Sequence, residues 1–198
     1  MRVIVLGGFL GSGKTTVLLQ LARMIVEKYQ ASKKYPVAII ENEIGDVSVD
    51  SKLLGDYQIR EIFSGCICCT LSADLTQSVI EIADLYEPEY VIIECTGLAY
   101  PDKVVSTIRK YAHECSSVLT ITIADASRWY EIMDYMDVFL TGQMKAGDIM
   151  VLNKIDLVDN ETMRSILSEL RDLNAEAEVI GISASEDISA LVEHILTQ

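Results

Sequence analysis

The chain opens MRVIVLGGFLGSGKTT, an apolar run that passes through glycines into a segment with helical spacing. Gly8, Gly13, Lys14 and Thr15 fit G-x-x-x-x-G-K-[ST], which constrains the fold more than any other feature. Glycines at 8, 11 and 13 admit backbone geometries closed to other residues. Backbone N–H groups can then converge on an anion, helped by the start of the following helix. In that reading Lys14 reaches the β- and γ-phosphates of a nucleotide and the Thr15 hydroxyl binds Mg²⁺. Gly8, Gly11, Ser12, Gly13, Lys14, Thr15 and Thr16 are the candidate phosphate-binding residues. A chance glycine-rich turn would need neither a buried strand before it nor an amphipathic helix after it.

Short β-rich runs recur at Val3–Leu6, Val37–Ile40, Val91–Ile93, Val118–Ala124, Asp148–Leu152 and Glu178–Ile182, with Gln58–Phe63 as an extra, edge-like strand. Helical spacing links Val17, Leu18, Leu21, Ala22, Ile25 and Val26, then Met163, Ile166, Leu167, Leu170 and Leu173, then Ile188, Leu191, Val192, Ile195 and Leu196. Ser185 stands where it would cap the last helix. Nearly all-apolar strands alternating with helices predict an α/β, doubly wound, mostly parallel sheet. With the glycine loop this is a P-loop NTPase fold, read as one domain over residues 1–198. Residues 41–57 form the one long irregular stretch, a length that signals function in a compact domain.

Three further motifs follow at strand ends. ECTGLAYP puts Glu94 after an apolar run as the second Mg²⁺ group, with Gly97 three residues on to meet the γ-phosphate. VLNKIDL supplies Asn153, Lys154 and Asp156 in the N-K-x-D pattern of P-loop GTPases. A carboxylate at 156 accepts from the ring N–H and the exocyclic amine of guanine. Adenine lacks that pair of donors. Asn153 is expected to tie this loop to the phosphate loop, and the Lys154 stem to lie over the base. GISAS adds Ser183 and Ala184, whose backbone N–H is a candidate for the guanine oxygen. All these residues fall on the edge where open α/β sheets bind ligands. No Gln follows Gly97 to orient water, and Arg60 and Arg109 are arginine-finger candidates by residue type alone. Slow intrinsic GTP hydrolysis is therefore expected until something completes the site.

SGCICCT packs Cys66, Cys68 and Cys69 into four positions, just before an expected helix at LSADLTQSVIEIADL. Five cysteines, an odd number, argue against a disulfide framework and toward metal or redox chemistry. Side chains at 66 and 68 share a face of an extended segment, and a turn can bring 69 round. Three thiolates suit a soft or borderline cation such as Zn²⁺ and leave a fourth position open, as transfer requires. C-x-C-C also lacks the C-x-x-C spacing of thioredoxin-like redox sites. Cys95, Cys115, His113 and His194 read as structural or incidental, with His113 a minor fourth-ligand candidate. The formal charge of −14 disfavours phosphate backbones, so no nucleic-acid partner is expected. With no secretory leader and no membrane-length apolar run, the expected location is cytoplasmic, without membrane partners.

In this order, GFLGSGKTT, NEIGDVSVD, GCICC, ECTGLAYP and NKIDL resemble the CobW-like metallochaperone GTPases, relatives of HypB and UreG. The resemblance implies a switch run by GTP/GDP and Mg²⁺, with the G-C-x-C-C cysteines binding a transition metal. It implies delivery to a client metalloprotein or a cofactor-dependent enzyme, and a homodimer as a candidate state. It also places Asn42, Glu43 and Gly45 in a nucleotide-responsive loop. Glu41, Glu43 and Asp46 are then candidates to hold metal or position water, and Glu43 joins Lys14 and Glu94 as the catalytic set. Typical members add a C-terminal domain and many a His-rich stretch; this sequence shows neither. The alternative function is a GTP-dependent metal sensor that controls a partner enzyme without delivering anything.

Overall fold

The computed structural model describes residues 1–41, 60–63, 72–112 and 115–197. The strands are β1 (Arg2–Gly8), β2 (Val37–Glu41), β3 (Arg60–Phe63), β4 (Tyr90–Glu94), β5 (Ser117–Asp125), β6 (Ile149–Asn153) and β7 (Glu178–Gly181). They form one seven-stranded sheet in the order β3-β2-β4-β1-β5-β6-β7. Every ladder between these strands is parallel. β3 is an edge strand, as its sequence suggested. The helices are α1 (Lys14–Tyr29), α2 (Ser72–Tyr86), α3 (Pro101–Tyr111), α4 (Trp129–Lys145), α5 (Asn160–Leu173) and α6 (Ser189–Thr197).

Alternation along each strand divides the core. Ile4, Leu6, Ile39, Ile92, Ile121, Ile123 and Val151 pack with α1 and α6 on one face. Val3, Val5, Ala38, Ile40, Val91 and Ile93 pack with α2 and α3 on the other. Met150 and Leu152 extend that second face under α4 and α5. Strands buried on both faces need apolar residues at nearly every position, hence runs such as VIVL and YVII. Each fully buried aliphatic side chain contributes about 1.5–3 kcal/mol.

Two helices were not legible beforehand. α3 begins on Pro101, a residue pre-set for a first helical turn, and buries Val104, Val105 and Ile108. α4 hides its period because it breaks at Met136 (φ −141°, ψ 35°). Trp129, almost fully buried, anchors its start by donating to Glu169 Oε2 at 2.8 Å. The cap expected at Ser185 is corrected: α6 starts later, and Asp187 Oδ1 accepts from the Ser189 N–H at 2.9 Å. α5 is capped by Asp159, whose Oδ1 accepts from the Thr162 N–H at 2.7 Å. The Thr162 amide holds the Asp159 carboxyl below its usual range, and the Ser189 hydroxyl and amide do the same for Asp187. Both caps give their full contribution above the ordinary aspartate pKa and lose it as pH falls through the depressed values.

The sheet order puts β1 between β4 and β5. The chain leaves β1 toward the β2 side and later returns past β1 to β5. This reversal opens a crevice at the carboxyl ends of the strands.

Candidate nucleotide-binding site

Tight contact shapes the loop between β1 and α1. Gly8, Gly11 and Gly13 have φ of 141°, 76° and 97°. A Cβ on Gly8 would lie 2.3 Å from the Ile123 carbonyl oxygen, and one on Gly13 would lie 2.3 Å from Asn153 Nδ2. A side chain at either position would collide with the end of β5 or with the Asn153 amide. Ser12 is buried, and its hydroxyl has no hydrogen-bond partner among the described residues. An orphaned buried hydroxyl in the glycine loop fits an anionic ligand. Lys14 is also buried, with Nζ donating to the Phe9 carbonyl across the loop at 3.3 Å.

Thr15 and Glu94, the two expected Mg²⁺ groups, lie together. The Thr15 hydroxyl donates to Glu94 Oε1 at 3.0 Å. One comes from the first turn of α1 and the other from the last residue of β4, which is 5 % exposed. Two adjacent hard oxygens suit Mg²⁺. Thr16, the next residue, is exposed on α1. Gly97 is buried against Leu10 of the phosphate loop.

The guanine-type loop is joined to the phosphate loop through Asn153. Its Nδ2 donates to the Ser12 carbonyl at 2.8 Å, and its Oδ1 accepts from the Ala184 N–H at 2.9 Å. The Ala184 carbonyl accepts from Gln20 Nε2 on α1. One buried amide thus locks three loops. Asp156 is exposed, and its Oδ1 accepts from the Ser183 hydroxyl at 2.6 Å. Lys154 takes a left-handed backbone conformation (φ 61°) and donates to the Gly11 carbonyl at 2.8 Å.

Two residues of this site escaped the sequence reading. Asp125, at the end of β5, is buried and accepts from Lys154 Nζ at 2.7 Å and from the Ser127 N–H and hydroxyl at 3.0 and 2.6 Å. It stands in register with Asn153 of β6. The signal was available: a carboxylate ending an apolar strand, as Glu94 does. Arg128 Nη1 donates to the Leu10 carbonyl at 3.3 Å. Arg109 is at the opposite edge, donating to the carbonyl of Val118 near the start of β5, so it is no finger for these phosphates. Replacing Asp125 with Ala should leave Lys154 less well placed and weaken GDP binding about tenfold, the equivalent of one charged hydrogen bond, measured by calorimetric titration.

Glu43, Cys66, Cys68 and Cys69 lie outside the described residues, as do Asn42, Gly45, Asp46 and His113. Among the described residues no group of three His, Cys, Asp or Glu side chains gathers as for a metal ion. The backbone of β2 and β3 still fixes where that segment starts and stops. Glu41 is in register with Glu94 on one side and with Phe63 on the other. Cys66 is three residues beyond Phe63, and α2 begins at Ser72. No helix among the described residues is long and apolar enough to cross a membrane.

Comparison with known proteins agrees with this geometry. The zinc chaperone YjiA of Escherichia coli is 32% identical over 193 residues, covering 92% of this chain and 58% of that protein. Zinc-regulated GTPase metalloprotein activator 1 of Dictyostelium discoideum is 28% identical over 221 residues, covering 91% of this chain and 45% of that protein. The chain therefore spans about half the length of these relatives. Zn(II)-bound YjiA GTPase from E. coli superposes with a TM-score of 0.68 at 25% identity, over 97% of this chain and 60% of that one. The hydrogenase maturation factor HypB of Archaeoglobus fulgidus shares the fold, with a TM-score of 0.65 at 14% identity, over 100% of this chain and 89% of that one. The CobW/HypB/UreG nucleotide-binding domain matches residues 2–181. The chain belongs to the CobW/HypB/UreG family, as its nucleotide-binding domain of P-loop GTPase fold.

Proposed function

We propose that this domain binds and hydrolyses GTP, and that its nucleotide state governs a transition-metal site at Cys66, Cys68 and Cys69, Zn²⁺ first among the candidates. The metal is cargo for a client metalloprotein or a cofactor-dependent enzyme in the cytoplasm. One observation carries the nucleotide half: Asn153 fastens the guanine-type loop to the phosphate loop while Asp156 stays open to a base. The metal half is supported by relatives named zinc chaperones and a zinc-regulated GTPase metalloprotein activator. It is supported too by the strand register that starts the cysteine segment at the nucleotide edge.

The chain's own groups divide the work. Lys14, already enclosed by the loop, exchanges its Phe9 contact for phosphate oxygens and offsets their charge. The cradle N–H groups and the Ser12 hydroxyl hold the phosphates still. Thr15 and Glu94 would hold Mg²⁺, which when bound neutralises charge developing between the β- and γ-phosphoryl groups. Ser183 orients the Asp156 carboxylate for the guanine edge. Glu43 is the proposed water-positioning residue. A client, a metal or a second copy of the chain completes the site, so the isolated domain turns over slowly.

The test is phosphate release under single-turnover conditions with Mg²⁺. GTP is expected to be cleaved and ATP to be cleaved at least about 10²-fold less efficiently. Glu94→Gln should slow release from GTP roughly 10²-fold. Equal use of ATP would contradict the base assignment, and an unchanged rate in Glu94→Gln would contradict the Mg²⁺ assignment.

A further inference from the structure

Gln143, on α4, is buried at 0% exposure. A buried amide is costly unless its polar atoms find partners. Its Nε2 donates to the Gly97 carbonyl at 3.1 Å and to the Ala99 carbonyl at 2.7 Å. Two facing carbonyls fix the amide's orientation, since an oxygen in that place would meet only oxygens. Its Oε1 is then buried without a hydrogen-bond partner among the described residues.

The segment it grips is the turn after β4, closed by the Ala99 N–H donating to the Thr96 carbonyl at 3.0 Å. One side of this turn presses on the phosphate loop. A Cβ on Gly97 would lie 2.6 Å from Leu10 Cγ and 2.7 Å from the Leu10 nitrogen. The following residue, Tyr100, meets Phe139 of α4 edge-on at 5.0 Å, and Phe9 meets the same ring at 6.2 Å. Tyr100 also leaves no room for a Cβ on Gly142, at 2.9 Å. The turn is therefore clamped between the phosphate loop and α4.

A trans peptide directs its C=O and N–H oppositely. Rotating the Gly97–Leu98 peptide would turn the Gly97 carbonyl away from Nε2, which keeps the Ala99 carbonyl, and would free the Leu98 N–H to approach Oε1, the acceptor that lacks a donor. Glycine at 97 keeps that rotation accessible. We propose that Gln143 is the positioning residue through which this site distinguishes GTP from GDP. It holds the Thr96–Ala99 turn by its carbonyls in the arrangement described here, and by an N–H once a γ-phosphate draws Gly97 in. The inference rests on the reading of the domain as a GTPase and adds a residue to it.

The test compares wild type with Gln143→Met, which keeps length and apolar volume but neither donates nor accepts. Each is titrated with GDP and with a non-hydrolysable GTP analogue in Mg²⁺. The variant is expected to bind GDP within about twofold of wild type and the analogue roughly tenfold more weakly, the equivalent of one hydrogen bond. A role confined to packing would weaken both equally, so an unchanged GTP-to-GDP ratio overturns the inference alone. Wild type that binds neither nucleotide overturns the functional reading and this inference with it. Hydrogen–deuterium exchange on wild type decides the matter if the variant does not fold. Residues 95–100 and 138–145 should change protection together with the analogue and not with GDP; a change confined to residues 95–100, or none, overturns the inference.

Discussion

Asp156→Asn should exchange guanine for xanthine as the preferred base. The Asp156 carboxylate is exposed and aligned by the Ser183 hydroxyl at 2.6 Å. It can accept from both N–H groups on the guanine edge. An asparagine amide keeps one acceptor and puts a donor where the second acceptor stood. That donor opposes the exocyclic amine of guanine and matches the carbonyl that xanthine carries in its place. Leaving polar groups mismatched in a bound complex is severe, so GDP affinity should fall about 10²-fold or more while xanthosine diphosphate gains. Titration of both nucleotides against both proteins checks this. Equal loss of the two bases would mean that Asp156 supports the loop rather than reading the base. The substitution keeps an acceptor for Ser183, so the fold should be unaffected.

Asn153→Ala should be the most damaging single truncation for the empty protein. It removes the bond to the Ser12 carbonyl and the bond from the Ala184 N–H together. Asn153, Ser12 and Ala184 are all buried, so neither abandoned group can turn to bulk water. Each unpaired backbone group costs about 1–3 kcal/mol. Stability should fall by roughly 2–4 kcal/mol, read as a lower urea midpoint with an unchanged slope. Nucleotide affinity should fall further than stability, because the phosphate and base loops lose their common anchor. A midpoint within error of wild type would show that the three loops hold without this amide.

The contrast between Asp156 and Gln143 shows what a sequence of this kind gives away. Asp156, Asn153, Glu94 and the glycines of the cradle sit at strand ends with fixed local spacing. Their roles could therefore be proposed from local spacing alone. The bond from Asn153 to the phosphate loop was anticipated for the same reason. Gln143 and Arg128 act across 46 and 118 positions of chain. A lone glutamine in a helix interrupted at Met136 carries no pattern. Asp125 is hidden for a different reason: it ends the apolar strand TITIAD with no phosphate- or base-binding motif beside it. The α3 helix is short, with only four buried residues, and its one start signal is Pro101, directly behind the Glu94–Gly97 motif. Register supplied something the sequence could not, by setting Glu41, Glu94 and Phe63 side by side where the cysteine segment departs.

The central claim is that the nucleotide in the cradle sets how tightly the three cysteines hold a metal. Coupling of this kind is reciprocal, and each ligand must change the other's affinity by the same factor. The most direct measurement is an anaerobic Zn²⁺ competition titration of the wild-type chain, once with GDP and once with a non-hydrolysable GTP analogue, both with Mg²⁺. The account predicts two curves separated by at least about fivefold in affinity. The same titration on the triple variant Cys66→Ser, Cys68→Ser, Cys69→Ser should lose both the tight binding and the separation. Superimposable wild-type curves would contradict it.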